Sequence, residues 1–334
     1  AFLAWLDPTE DVLRAAGVWT LALATTTLIV SSLWRVSLKL RYEAWRTAHA
    51  VLSLLVVAGG LGHALMGQHH SAGLPAQLLL VVTVGVPLAL LLESRLYRPF
   101  RLARRPWRVT VVEACRAGST RLVLEADGHD GLAFLPGQYA WLTLGDSPHA
   151  LQQNPFSMAS APTDPRRVEF IAKQVGDFTE SLPEVAPGTR AFLEGPYGIF
   201  SMDVGARRRA VFVAGGIGIT PILSMLRACR DRGHTQPMWL VYGNQDEGDI
   251  IARETLETLA TTLPLTIVHV LSDVEDTDGW DGETGYVDGD LLARHLPEDA
   301  DDIDYFVCGP KPLMDTVEPA LRARGVHALR LHSE

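Results

Sequence analysis

The sequence is poor in cysteine and in charge. Three cysteines, Cys115, Cys229 and Cys308, are spread over 334 residues. This excludes a disulfide framework and a zinc-ligand spacing, and it favours a reducing compartment for the part that carries them. Charged residues make up 20% of the chain and the net charge is −10. Because nucleic-acid-binding domains present a basic surface, this balance argues against nucleic acid as a partner.

Asp, Glu, Lys and Arg are missing altogether from three stretches: Ala15 to Trp34, Thr47 to Gln68 and Ser71 to Leu92. Each is about twenty residues long, which is enough to cross the hydrocarbon core of a bilayer. We therefore predict three transmembrane helices within residues 1–105. The alternative is three buried helices of a soluble core, but such runs rarely follow one another in soluble domains.

The basic residues beside these stretches predict an orientation. Four lie in the segment 35–46 and six arginines lie in 95–108, whereas 66–76 contains no Lys or Arg. The positive-inside rule then places both basic segments, and everything after them, in the cytoplasm. We expect an integral protein of the inner or plasma membrane. Because the chain begins at Ala1 without a basic leader or cleavage signature, we also expect earlier spans to precede it.

Two histidines, His49 and His63, lie in the second stretch, fourteen residues apart. On a helix this separation is a little under four turns, so both project from nearly the same face, about 21 Å apart. Ionisable residues inside a membrane are costly and usually functional. We predict that each binds the iron of a b-type haem held by two imidazoles. The alternative is two incidental polar residues; the opposite ligands would have to come from a missing span or another subunit.

From residue 106 to residue 204 the pattern changes to short strands with alternating polarity. Turn signals such as Pro136-Gly137 and Pro187-Gly188 separate them, which predicts an antiparallel β-barrel. The strands are predicted at 108–112, 120–124, 138–144, 167–174 and 189–194.

Within this barrel, the run Asn154-Pro155-Phe156-Ser157 places an aromatic ring and a hydroxyl on a strand that proline makes rigid. Such a pair can stack on an isoalloxazine ring and hydrogen-bond its reactive edge. Lys173, Gly176 and Thr179 follow, and a short helix is predicted over Thr179 to Leu182. Its N-terminus is expected to hold the flavin pyrophosphate.

Residues 205–334 carry two apolar strands that each end in glycine. Val211 to Ala214 runs into Gly215-Gly216-Ile217-Gly218, then Thr220-Pro221 and a helix over Ile222 to Arg230. Glycine lets the backbone approach a ligand closely, and a helix N-terminus attracts a pyrophosphate. Tyr305 to Val307 runs into Cys308-Gly309-Pro310. We predict an α/β nucleotide-binding domain.

Together these motifs resemble the ferredoxin–NADP reductase superfamily, and the whole chain resembles its membrane branch, the ferric reductases and NADPH oxidases. The resemblance implies an FAD-binding barrel and an NAD(P)-binding α/β domain after a transmembrane haem-binding bundle. It implies that Phe156 and Ser157 contact the flavin ring, and that Cys308, Gly309 and Pro310 lie beside the nicotinamide. Further binding residues implied by the resemblance are Lys173, Gly176 and Thr179 near the flavin phosphates and Gly215, Gly216, Gly218, Thr220 and Pro221 at the nicotinamide pyrophosphate.

The chain departs from that family at two informative positions. Asn154 stands where the family usually has Arg or His, so one charged flavin-phosphate contact is missing or comes from elsewhere. Gln245 stands where NADPH-dependent members often have arginine, and a neutral amide cannot neutralise a 2′-phosphate. With Asp246 and Glu247 nearby, this favours NADH, unless Arg253 compensates.

The resulting hypothesis is electron transfer from NAD(P)H through FAD to two haems and an acceptor outside, with Ser157 and Cys308 as catalytic residues. The acceptor is expected to be a ferric chelate, oxygen or a quinone. One alternative is a haem-free, membrane-anchored NAD(P)H-flavin reductase that serves a separate protein. Another is a redox-inactive subunit that binds nucleotide as a sensor or scaffold.

Overall fold

The structure is a computed structural model that describes residues 12–40, 42–66, 73–148, 154–205, 209–274, 279–298 and 302–334. The chain divides into two compact units, Ala1–Phe100 and Arg101–Glu334. The first unit is helical, and the second contains two β-sheets.

The N-terminal unit contains α1 (Val12–Leu33), α2 (Tyr42–Met66) and α3 (Leu74–Leu92), followed by a π-helical turn, and α4 (Arg98–Ala103) runs from its last residues into the second unit. Two segments, Ala15–Leu33 and Ala44–Gly62, are long and apolar enough to cross a membrane by length and composition. A soluble core helix or a signal sequence meets the same criterion, so the membrane location stays a prediction.

The predicted ends of these helices differ from the observed ones. The second begins at Tyr42, five residues before the predicted Thr47, because a charged residue such as Arg46 does not stop a helix. The absence of charged residues therefore predicted the apolar part of each helix but not where the helix begins and ends. The end of the second predicted span and the start of the third fall in 67–72, outside the described residues.

The first sheet of the second unit is antiparallel, as predicted, with the strand order β4-β3-β6-β1-β2-β5. A bridge between Met158 and Phe170 joins its two outer strands and closes the barrel. Its interior is filled by side chains such as Trp107, Leu142 and Phe170. The strands are β1 (Trp107–Cys115), β2 (Ser119–Ala126), β3 (Tyr139–Leu144), β4 (Asn154–Ser157), β5 (Arg167–Lys173) and β6 (Arg190–Tyr197).

A short helix, α5 (Asp177–Glu180), follows β5. It begins two residues before the predicted Thr179 because the Thr179 hydroxyl caps the turn. Thr179 Oγ1 accepts hydrogen bonds from the backbone amides of Val175 (2.9 Å) and Gly176 (3.2 Å). Thr179 is thus inside the helix that it was predicted to start.

The second sheet is parallel, with the strand order β10-β9-β8-β7-β11-β12. Helices cover both of its faces, and separate apolar clusters form around Phe212 on one face and Val213 on the other. Its strands are β7 (Arg209–Gly215), β8 (Met238–Asn244), β9 (Leu265–Leu271), β10 (Glu283–Thr284), β11 (Ile303–Cys308) and β12 (Leu331–Ser333); its helices are α6 (Ile219–Asp231), α7 (Arg253–Thr262), α8 (Gly289–His295) and α9 (Lys311–Ala323).

The strand order reverses at β7. The chain proceeds from β7 to β8 and β9 on one side, and β11 returns to pair on the other side. Ligands of open α/β sheets bind at such a switch point, outside the carboxyl ends of the strands. Here those ends are Gly215 and Cys308.

Candidate functional site

The glycine run after β7 packs directly on the Cys-Gly-Pro run after β11. A Cβ atom on Gly218 would overlap the main-chain carbonyl of Cys308, and one on Gly215 would press on the ring of Pro310. Both glycines are therefore required by close backbone approach. Two sequence motifs about ninety residues apart form one surface.

Gly216 is the half-buried glycine of this run, whereas Gly215 and Gly218 are buried. Its φ is +51°, a left-handed value that favours glycine, and a Cβ there would meet open space. Its carbonyl accepts a hydrogen bond from the Tyr242 hydroxyl at 3.0 Å. Helix α6 then begins at Ile219, three residues earlier than predicted, because Pro221 is well tolerated in a first turn. Thr220 and Pro221 are buried in that turn, and the Thr220 hydroxyl donates to the carbonyl of Ile217.

A cavity of about 520 Å³, cavity A, lies between the barrel and the parallel sheet. A second cavity of about 420 Å³, cavity B, lies at the ends of β8 and β9. Both volumes are in the range of cofactor pockets. Lys173, Gly215, Gly216 and Pro310 line both cavities, so the two form a continuous groove. Cavity A brings together the predicted Pro155, Phe156, Ser157, Thr179, Gly218, Thr220, Cys308 and Gly309.

The residues of cavity A fit a flavin. The Phe156 ring stacks on Phe178 at 6.0 Å and meets the edge of Phe170 at 6.3 Å, so it is held in place by aromatic neighbours. Asn154 begins the same strand, and its buried Nδ2 has no hydrogen-bond partner among the described residues. Lys173 supplies positive charge suited to a pyrophosphate. These residues would hold FAD with its ring near Phe156 and Ser157.

Cys308 carries a protonated thiol. Burial, together with the nearby carboxylate of Glu334, raises the pKa of Cys308 to about 12. The thiol is therefore neutral near pH 7 and is not a nucleophile. Glu334 was not among the predicted site residues; β12 brings it beside this strand, and its backbone amide donates to the carbonyl of Val307 at 3.1 Å. No local sequence signal marks that contact, because it depends on β11–β12 pairing.

The residues of cavity B fit a nucleotide. Asn244 is 9% exposed, and its Oδ1 has no hydrogen-bond partner among the described residues. Tyr286 lines the cavity with 80% of its surface exposed, although it is a large aromatic residue. Neither residue was predicted to belong to a site. The signal for Asn244 was its place at the end of a buried strand; Tyr286 follows a short strand that the pattern did not reveal.

The charges around Gln245 disfavour binding of the 2′-phosphate that distinguishes NADPH from NADH. Gln245 itself lines cavity B with Asp249. The guanidinium of Arg253, the one compensating cation considered from sequence, is bound by Glu247 and by Glu257 at 3.0 Å. The Asp246 carboxylate accepts a hydrogen bond from the amide of Asp249 at 3.0 Å. Arg253 is thus already engaged by two carboxylates.

The described residues of the N-terminal unit do not fit a haem held by two imidazoles. His49 Nδ1 lies 3.3 Å from the hydroxyl of Ser32, and its ring packs on Trp45 at 5.0 Å. Neither α1 nor α3 contains a histidine to face it. The side chain of His63 lies outside the described part. Haem ligation by His49 and His63 stays a prediction, and we derive no step through haem.

Known proteins match the second unit. Residues 212–319 match the oxidoreductase NAD-binding domain family. Ferredoxin--NADP reductase B of Sorangium cellulosum is 33% identical over 214 residues, which cover 61% of this chain and 87% of that protein. The chain belongs to the ferredoxin–NADP reductase family. Members of this family are NAD(P)H-dependent flavin oxidoreductases. The enzyme class predicted from the sequence is therefore confirmed, and we refer to the protein as the reductase.

Other comparisons agree on this module. The reductase component of propane 2-monooxygenase from Rhodococcus jostii is 32% identical over 225 residues, which cover 65% of this chain and 60% of that protein. The FAD/NAD-binding domain of nitric oxide dioxygenase from Vibrio cholerae has a TM-score of 0.61 at 23% identity and shares the fold over 69% of this chain and 97% of that one. The reductase thus spans about three fifths of the length of several curated relatives. None of these matches supports the predicted ferric reductase or NADPH oxidase branch.

Proposed function

We propose that the reductase oxidises NADH through FAD and delivers the electrons to a separate electron-accepting protein. The observation that carries this proposal is the close packing of Gly218 on Cys308 and of Gly215 on Pro310 at one wall of cavity A, which also contains Ser157. This wall would contact both a flavin ring and a nicotinamide bound in cavity A. This is the haem-free alternative derived from sequence.

When bound, FAD supplies the conversion of a two-electron hydride donor into a one-electron donor. The chain's own residues bind and orient. Phe156 would support the ring, and the Ser157 hydroxyl would hydrogen-bond its reactive edge. Lys173 would neutralise phosphate charge where the two cavities meet. The neutral thiol of Cys308 would pack beside the nicotinamide without reacting.

The proposed donor is NADH. A 2′-phosphate at the Gln245 end of cavity B would meet an uncharged amide and Asp249. Arg253 would first have to leave Glu247 and Glu257.

The proposed acceptor is a small redox protein. Several relatives are named as reductase or electron-transfer components of oxygenases, and others as cytochrome b5 reductases. These names describe pairs in which a flavin reductase serves a second protein. Direct reduction of oxygen, a ferric chelate or a quinone is the competing outcome.

We further propose that the N-terminal unit anchors the reductase at a membrane. Its helices expose large apolar side chains, with Leu23 70% and Leu79 65% accessible. Exposed apolar surface of this extent is costly in water. Partition of the full chain into detergent or liposomes, resistant to high salt, is the expected result; recovery in the aqueous fraction would contradict the anchor.

The proposed activity is tested with the full chain loaded with FAD under anaerobic conditions. We expect NADH to bleach the flavin absorbance band, NADPH to do so much less efficiently, and cytochrome b5 or a ferredoxin to restore it. A chain that binds FAD but is not bleached by NADH would support the sensor alternative. Faster reoxidation by oxygen or ferric citrate than by either protein would overturn the acceptor class.

A further inference from the structure

A buried ion cluster crosses the boundary between the barrel and the α/β domain. The carboxylate of Glu169, on β5, is 7% exposed. It accepts a hydrogen bond from Arg121 on β2 at 2.9 Å and another from Arg227 on α6 at 2.7 Å. Two elements of the barrel and one of the α/β domain therefore meet at a single carboxylate.

This carboxylate is charged despite its burial. Burial alone raises the pKa of Glu169, but the charge of Arg227 and the hydrogen bonds from both arginines outweigh burial and hold the pKa below its usual value. A buried charge is tolerated only where partners satisfy it with good geometry. Each oxygen of Glu169 accepts a hydrogen bond from a different arginine, so the orientation of the carboxylate is fixed.

The same cluster reaches the end of the strand that carries Ser157. Arg227 Nη1 also donates to the carbonyl of Ala159 at 2.8 Å, and Ser224 Oγ donates to the carbonyl of Ser160 at 2.6 Å. The main chain of Glu169 completes the connection. Its carbonyl accepts from the amide of Ala159 at 2.8 Å, and its amide donates to Ser160 Oγ at 3.1 Å.

These contacts connect both walls of cavity A. Ala159 follows Ser157 by two residues, and Arg227 lies on the helix that starts directly after Gly218. One wall bears Ser157, which would contact the flavin ring, and the other bears the Gly215–Gly218 turn, which would hold the nicotinamide nucleotide. A rotation of α6 against the segment after β4 would strain the hydrogen bonds that Arg227 and Ser224 donate to it.

We propose that Glu169 and Arg227 are positioning residues that set the distance between flavin and nicotinamide for hydride transfer. This inference rests on the proposed function. Hydride transfer requires the reacting atoms to lie within roughly 3–3.5 Å, and a shift of about 1 Å can cost about a hundredfold in rate. A rigid, buried link between the two walls meets that requirement.

A second ion pair across the same boundary offers a matched control. Arg116 on the β1–β2 turn binds Glu254 on α7 at 2.7 Å, but the side chains are 38% and 71% exposed. Exposed pairs contribute little to rigidity or stability. The variant Glu254→Gln removes an interdomain pair of the same kind without touching the buried one.

The test compares Glu169→Gln, Arg227→Lys and Glu254→Gln in the full chain loaded with FAD. Anaerobic stopped-flow absorbance gives the Kd for NADH and the limiting rate of flavin bleaching, with NADH deuterated at the transferred position as a second substrate. We expect Glu169→Gln and Arg227→Lys to lower the limiting rate about ten- to a hundredfold. Flavin content and the Kd should stay within about twofold, with a primary isotope effect retained, and Glu254→Gln should match the wild type.

A flavin-free readout separates positioning from simple loss of activity. In the protein without FAD, we expect hydrogen exchange to accelerate at the amides of Ala159 and Glu169 and along α6 in the Glu169→Gln variant, and to stay unchanged in β9. Arg227→Lys, which keeps the positive charge, should give a smaller increase. It also serves as the test if Glu169→Gln does not fold.

Three possible results separate the positioning inference from the proposed function. If the wild type is reduced by NADH and the variants match its limiting rate, the positioning inference is overturned while the proposed function stands. If the variants lose flavin, or bind NADH more weakly with an unchanged limiting rate, Glu169 and Arg227 are merely structural and the inference is also overturned. If the wild type binds FAD but NADH does not reduce it, the proposed function itself fails.

Discussion

Gly218 lies so close to the main-chain carbonyl of Cys308 that a single added carbon atom would overlap it. The overlapping atoms belong to backbone, which cannot rotate away as a side chain can. We expect Gly218→Ala to cost about 1–3 kcal/mol of stability and to weaken NADH binding, because the turn after β7 must move.

Urea unfolding and NADH titration check this prediction, with Gly289→Ala as the control. A Cβ on Gly289 would meet only the side chain of Ala320 at an ordinary 3.5 Å. Gly218→Ala and Gly289→Ala variants of equal stability and equal NADH affinity would contradict the close packing.

Ser157 ends β4 at the wall of cavity A. If its hydroxyl hydrogen-bonds the reacting edge of the flavin, Ser157→Ala loses a bond worth about 1–3 kcal/mol. We expect the limiting rate of flavin reduction by NADH to fall about five- to a hundredfold, with FAD retained. Ser157→Thr keeps the hydroxyl and should recover most of the rate; an unchanged rate in Ser157→Ala would remove Ser157 from the site.

Gln245 is expected to decide between the two nicotinamide nucleotides. Replacing it by arginine supplies a bidentate donor for a 2′-phosphate. We expect Gln245→Arg to raise kcat/KM for NADPH about tenfold, because a hydrogen bond to a charged group contributes about 1.5–3 kcal/mol. kcat/KM for NADH should change little. Gln245→Lys is the comparison, and a wild type that already prefers NADPH would contradict the assignment.

Glu169 predicts how stability depends on pH. Because its pKa is lowered in the folded state, its stabilising contribution is present above its unfolded pKa and is lost as pH falls through the folded pKa. We expect the difference in unfolding free energy between wild type and Glu169→Gln to be constant at neutral pH and to shrink in acid. Urea unfolding at successive pH values measures it; a difference that grows on acidification would be inconsistent with a charged, paired carboxylate.

Much of the fold was accessible from the sequence. The alternating strands of the barrel and the apolar strands that end at Gly215 and Cys308 were predicted close to their observed places. These features depend on side-chain periodicity and on glycines whose backbone demands are local. Helix ends were predicted less well, because Thr179 and Pro221 act through capping and first-turn geometry rather than through periodicity.

The sequence by itself determined the flavin and nucleotide modules, since each motif reports a local requirement: close backbone approach at Gly218, or an aromatic ring beside a hydroxyl at Phe156 and Ser157. Only the tertiary structure decided which residues that are distant in sequence contact one another. Glu169 and Arg227 are 58 residues apart in sequence, and Glu334 reaches Cys308 through a strand pairing. Such partners carry no local signature, because an ion pair or an edge strand depends on where the chain returns in space.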